Sequence, residues 1–177
     1  AELWHYRRSG NDWTGRHIVM PEDLELDWGL ALSDDGEQLA LAATRDGKNT
    51  IEVFERQRAG DFTFARSLPL PAASASGLAF FDGQLVVGFA EPSMGDLTLV
   101  DPKSGRTVHA ITVPPERLDG FVRVVPNFSV HNGLALVLQR RHLVVVDLEN
   151  KRVACSLDLE RDQHGDPAYP IAAATRR

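Results

Sequence analysis

The chain is 177 residues long, 43% apolar and 25% charged, enough for one domain with a substantial core and ordinary for a globular protein. A net charge of −6 and a pI near 5.5 argue against a nucleic-acid backbone or an anionic membrane surface as the main partner, since both call for a clustered basic excess. The lone Cys155 excludes an internal disulfide framework, and no apolar run approaches the ~18 residues of a membrane span.

Taken in order, Glu2 to Arg8 and Trp13 to Met20 read as two strands joined by Ser9-Gly10-Asn11-Asp12. The acidic cluster Glu22, Asp23, Glu25 and Asp27 follows Pro21 and reads as a solvated connector of one helical turn. Trp28 to Thr44, WGLALSDDGEQLALAAT, holds two apolar runs around Asp35-Gly36. The runs are too short for helices and are bounded by turn residues. They predict two strands joined by a tight hairpin, because Gly tolerates positive φ and Asp can bond its own backbone. Thr50 to Glu55 is a third strand, and Phe62 to Leu70 a fourth, reached through Arg58 to Asp61.

The same order then recurs. Gly77-Leu78-Ala79, Asp82-Gly83 and Gln84-Leu85 repeat Gly29-Leu30-Ala31, Asp35-Gly36 and Gln38-Leu39. A third copy runs from Phe128 to Val137, with Asn132-Gly133 as its turn. Third strands begin at Thr50, Asp96 and His142, a spacing of roughly 46 residues within the 40 to 50 of four-stranded propeller blades. Fourth strands follow at Thr107 to Val113 and Val153 to Leu159, after Lys103-Ser104-Gly105-Arg106 and Glu149-Asn150-Lys151-Arg152. Inner strands such as Leu-Ala-Leu and Leu-Val-Val-Val lack clean polar alternation and must be covered on both faces, as radially stacked sheets are.

A small-residue inner strand, an Asp-Gly turn and a third strand ending in Asp before a Gly or Asn turn together form a recognisable pattern. It is carried here by Ser33-Asp34-Asp35-Gly36, by Leu99-Val100-Asp101-Pro102-Lys103-Ser104-Gly105 and by Val145-Val146-Asp147-Leu148-Glu149-Asn150. It resembles the β-propeller repeats of the WD40 and YncE-like superfamily, without the Gly-His and Trp-Asp signatures of true WD40 repeats. The resemblance implies an all-β propeller segment, with four-stranded antiparallel blades at 28–70, 77–113 and 121–159. Partial blades would lie at 1–20 and 168–177.

The two ends together lack a second strand, so joining them would leave a gap in a sheet. Folded proteins normally cover such an open β-edge. Two arrangements fit: a segment of a larger ring, with blades upstream, downstream or on another chain, or a four-bladed ring closed by its own termini. The first is the expectation. The start at Ala1 without a charged-then-apolar leader also fits either a removed leader or a piece of a longer protein. One cysteine and no leader point to the cytoplasm.

No phosphate-binding glycine loop, nucleophile elbow, His-Glu-x-x-His, Cys-x-x-Cys or calcium loop is present. Propeller enzymes of the gluconolactonase-like and quinoprotein families hold a metal or cofactor over the central channel, with ligands from the inner strands. Here only Asn127 offers a metal-competent side chain near that axis, while hard cations need several oxygen ligands. His5, His17, His109, His131, His142 and His164 share no metal-ligand spacing. No catalytic residue, metal site or cofactor is therefore expected. Cys155, beside Ala154, reads as a small core residue, and Trp4, Trp13, Trp28, Phe54, Phe62, Phe64, Phe80, Phe81 and Phe89 as packing between blades.

What remains is the face of the disc that carries the loops from second to third strands and between blades. It would gather Arg45, Lys48, Met94, Arg140, Arg141 and His142 as partner-binding residues. Arg140-Arg141 stands out, because adjacent guanidinium groups can make paired hydrogen bonds to carboxylate or phosphate. The expected function is a protein-interaction scaffold, engaging a protein partner or the remaining blades of its ring, and neither nucleic acid nor membrane. The alternative is part of a propeller enzyme whose active-site residues lie in blades outside this sequence.

Overall fold

In the computed structural model, which describes residues 2–70, 75–89, 96–114, 117–118, 121–122, 127–138 and 142–158, every regular element is a β-strand. β1 (Leu3–Ser9) and β2 (Asp12–Ile18) form an antiparallel hairpin. β3 (Leu24–Leu32), β4 (Gln38–Arg45), β5 (Lys48–Arg56) and β6 (Phe62–Pro69) form a four-stranded antiparallel meander. β7 (Ala75–Phe81), β8 (Gln84–Phe89), β9 (Asp96–Val100) and β10 (Thr107–Thr112) form a second. A two-residue pair, β11 (Arg117–Leu118) with β12 (Phe121–Val122), lies in the chain between β10 and the third meander. β13 (Asn127–His131), β14 (Leu134–Leu138), β15 (His142–Asp147) and β16 (Arg152–Asp158) form the third meander. Among the described residues no helix is long and apolar enough to cross a membrane.

The meanders stack. β8 sends Leu85 and Val87 into a core shared with Ala40, Ala42, Ile51 and Val53 of the first meander. Its intervening Val86 joins Leu97, Leu99, Ala135, Val137, Val144 and Val146 in a core shared with the third. Both faces of the second meander are thus buried, which is why its strands read as unbroken apolar runs. The edge strand β7 adjoins the edge strands β3 and β13, so the meanders converge along one side. The small residues allow this: a Cβ at Gly29 would lie 2.9 Å from the Ala42 Cβ and 3.0 Å from the Leu78 Cγ. At the periphery Arg66 donates to the Pro102 carbonyl at 3.1 Å and pairs with Glu55, tying the first two meanders together.

The β1–β2 hairpin covers only part of the first meander. Ile18, with Leu3, packs on Leu39, Leu41, Phe54 and Phe62, and the His5 ring meets Phe62 edge-on at 5.4 Å. Three turns take both central residues at positive φ, as a two-residue type I′ hairpin requires. They are Asp46-Gly47 (50° and 68°), Asp82-Gly83 (47° and 70°) and Asn132-Gly133 (48° and 75°).

Several expectations need correction. Asp35-Gly36 does not form a two-residue hairpin: Leu32 pairs with Leu39, and the longer loop between them closes through the Ser33 N–H to the Gln38 carbonyl at 2.9 Å. Glu25 and Asp27 belong to β3 and not to a helical turn, because Leu24 and Leu26 alternate with them and Leu26 packs toward the hairpin. Cys155 is exposed, since it lies opposite Val145 on the face turned away from the second meander. Of the aromatics, Phe54, Phe62, Phe80 and Phe89 are buried, but Trp4, Trp13 and Phe64 are not.

Replacing Gly29 with Ala forces the β3–β7 contact apart. Overpacking of this kind costs about 1–3 kcal/mol. Urea unfolding of Gly29→Ala should show that loss, with a lower midpoint and an unchanged m-value.

Candidate functional site

The loops between second and third strands leave β4, β8 and β14 at equivalent places and return at Lys48, Asp96 and His142, the first residues of β5, β9 and β15. Of the expected partner-binding residues, Arg45 and Lys48 flank the Asp46-Gly47 turn and pair across it. His142 opens β15 opposite Asp158. Met94, Arg140 and Arg141 lie outside the described residues, as does the side chain of His142.

Arg45 and Lys48 differ sharply in their surroundings. The Arg45 guanidinium stands 3.7 Å from Glu52 Oε2 and 5.2 Å above the Phe64 ring. Glu52 is fully buried, and its Oε1 accepts hydrogen bonds from the Thr50 and Ser67 hydroxyls, each at 2.9 Å. Its Oε2 has no hydrogen bond among the described residues, so Arg45 supplies its compensating charge across a gap too wide for one. Lys48 is exposed and makes no ion pair among the described residues, which leaves its ammonium free for a partner. The pairing of Arg45 with Glu52 has no signal in the sequence. It depends on Leu41, Glu52 and Ser67 lining up across β4, β5 and β6.

The opposite face carries the turns that join first to second and third to fourth strands. Asp35, Asp101 and Asp147 fasten three of them. Asp35 accepts from the Ser33 hydroxyl at 2.6 Å and the Glu37 N–H at 3.0 Å. Asp101 accepts from the Ser104 hydroxyl at 2.6 Å and the Lys103 N–H at 2.9 Å. Asp147 accepts from the Asn150 N–H at 2.9 Å and its side-chain amide at 2.7 Å. These bonds hold each carboxyl below its ordinary value of 3.8, led by Ser33, Ser104 and the Asn150 N–H respectively. On this face a cavity of about 750 Å³ is lined by Asp34, Asp82, Glu149, His131, Phe80 and Phe81 among others. Among the described residues no group of three or more His, Cys, Asp or Glu could hold a metal ion.

The chain matches no protein-family model and no curated protein. It is similar in structure to AztD from Citrobacter koseri, with a TM-score of 0.54 at 20% identity over 91% of this chain and 38% of that one. Apo AztD from the same organism gives 0.53 at 21% identity, over 89% and 38%. KlHsv2 with its loop 6CD replaced by a Gly-Ser linker gives 0.52 at 8% identity, over 77% and 40%. AztD is β-propeller-like and Hsv2 is a propeller. The fold here is β-propeller-like. The chain spans about 38% of the length of the AztD chains it matches.

Breaking a fully buried ion pair costs about 3–5 kcal/mol. With solvent reaching Arg45, Arg45→Ala should lose about 1–3 kcal/mol in chemical unfolding, while Lys48→Ala should stay within about 0.5 kcal/mol of the parent.

A carboxyl with a lowered folded pKa contributes stability that is present above its unfolded pKa and is lost as pH falls through the folded value. An NMR titration should therefore place Asp35, Asp101 and Asp147 below 3.8. Ser104→Ala should move Asp101 back toward that value, and the turns' contribution to stability should fade only below about pH 4.

Proposed function

We propose that this chain is an arc of a larger β-propeller of WD40/YncE-like type, its three meanders complete blades and the β1–β2 hairpin the outer half of a fourth. Its role is a protein-interaction scaffold in the cytoplasm, and it is not an enzyme.

One observation carries the reading. Leu30 and Leu32 of β3 are 55% and 50% exposed on the side that the hairpin leaves uncovered. Among the described residues, β1 pairs with β2 and with no other strand. In a two-residue hairpin closed at Ser9 and Asp12, alternate residues face outward, so Trp4, Tyr6 and Arg8 turn their backbone N–H and C=O groups to an edge that no other described strand pairs. Two further strands on that edge would complete a four-stranded blade and cover both leucines. The match to only 38% of AztD supports the same picture, because it leaves length for the rest of a ring.

Within such a ring the blades present their loops as fixed points for recognition. Lys48, His142, Met94, Arg140 and Arg141 would make the contacts, while Arg45 steadies the loop from below through Glu52. The partner is a protein, and the missing strands come from the same polypeptide or another one.

Light scattering after size exclusion tests this on the purified chain. The open leucines should make it self-associate in the micromolar range, and the double variant Leu30→Asp, Leu32→Asp should return it to a monomer. A parent chain that stays monomeric throughout that range would contradict the open-arc reading.

A further inference from the structure

A second concave site lies between the β1–β2 hairpin and the turn from β5 to β6. Its volume is about 380 Å³, and its lining is basic: Arg7, Arg8 and Arg16 with His5, Ser9 and Thr14, closed by Ala59 and Gly60 of the turn. In an antiparallel pair, residues opposite one another share a face. The register sets His5 against Arg16 and Arg7 against Thr14, so four polar side chains from two strands point to the first meander together.

The charges are unevenly balanced. Arg16 is neutralised by Asp61 at 2.6 Å and donates to the Ala59 carbonyl at 3.1 Å, which fixes its fork against the turn. Arg8 donates from Nε to the Gly10 carbonyl at 2.9 Å and meets no carboxylate among the described residues. Arg7 has no ion pair among the described residues. His5 Nδ1 is buried with no hydrogen-bond partner among the described residues. Of the two guanidinium groups without a carboxylate, only that of Arg7 shares the inner face with Thr14 and Ser9, so a protein of net charge −6 holds one such guanidinium and two hydroxyls at this hollow, while Arg8 borders it from the other face of β1.

We infer that this hollow binds a phosphate group. Guanidinium forks match tetrahedral oxyanions, and the Ser9 and Thr14 hydroxyls supply further donors, while His5 walls the hollow through its packing on Phe62. The volume exceeds what a bare phosphate ion needs, so the ligand class is a small phosphomonoester. The inference does not need the open-arc reading, because Arg7, Ser9, Thr14 and Arg16 carry it, although Arg8 at its border also belongs to the β1 edge.

The test is a titration of the whole chain with O-phosphoserine and with inorganic phosphate, at constant ionic strength, followed by NMR shifts of the Arg7, Thr14 and Gly60 amides. Saturable binding is expected, tighter for the monoester, weakened about tenfold or more by Arg7→Ala and partly restored by Arg7→Lys. Arg106→Ala removes an equal charge from an exposed turn of the second meander and should leave binding unchanged. Because Arg7 is exposed, its loss should not unfold the chain, and the unshifted amides of the meanders verify this. Absence of saturation by either ligand, or equal weakening by Arg7→Ala and Arg106→Ala, would overturn the inference.

Discussion

β7 is gripped on one side by β3 and on the other by β13, and the rest of the chain is arranged to permit that contact. Three sheet edges can converge only if the residues between them are small, and Gly29 against Ala42 and Leu78 is where the fit is tightest. From this line the meanders fan outward, each burying one face on its neighbour. A full apolar side chain removed from water contributes roughly 1.5–3 kcal/mol, so the fully buried Leu85, Val86 and Val87 alone place considerable stability in β8. A sheet with both faces covered has no preferred solvent side, and its neighbours must supply what water does not. The first meander meets this condition incompletely: the hairpin shields Leu39, Leu41 and Phe54 but leaves Leu30 and Leu32 bare.

Rigid stacking explains how loops on such a scaffold can act as fixed points. The type I′ turns impose their own strand register, and Asp35, Asp101 and Asp147 tie the other turns to backbone N–H groups and neighbouring side chains. Glu52 extends this logic to the interior. A buried carboxylate is costly unless its charge is met, and Arg45 meets it from the rim while stacking over Phe64. The residue with the most obvious surface charge beside Lys48 is therefore held by the structure, and Lys48 alone of the two is free to engage another molecule.

Much of the architecture was legible in the sequence because local chemistry and the global fold agree. Asp82-Gly83 and Asn132-Gly133 specify their turns through residues that accept positive φ. The Asp that closes the third strand in the second and third repeats is explained by the bonds that Asp101 and Asp147 accept from the turn beyond them; the first repeat has Glu55 there. Legibility ends where pairing decides the outcome. The Asp35-Gly36 loop has the same dipeptide as Asp82-Gly83, but Leu32 faces Leu39 and the intervening residues must loop out. Cys155 and Trp13 are apolar in sequence and exposed in the fold, since no described meander covers the faces they occupy. The basic hollow was invisible for the same reason. Arg7-Arg8 looks like a pair, yet adjacent strand residues point to opposite faces; its working companions are His5 and Arg16, which only the hairpin register brings together.

The claim at the centre of this account is that the β1 edge is open, and amide hydrogen exchange reads it directly. In dilute solution the N–H groups of Trp4, Tyr6 and Arg8 should exchange nearly unprotected, while those of Leu39 to Ala43 and Ile51 to Phe54 exchange slowly, and protection at the three edge residues should rise with protein concentration. Strong protection of Trp4, Tyr6 and Arg8 at the lowest concentration would mean that the chain covers this edge itself, and would contradict the open arc.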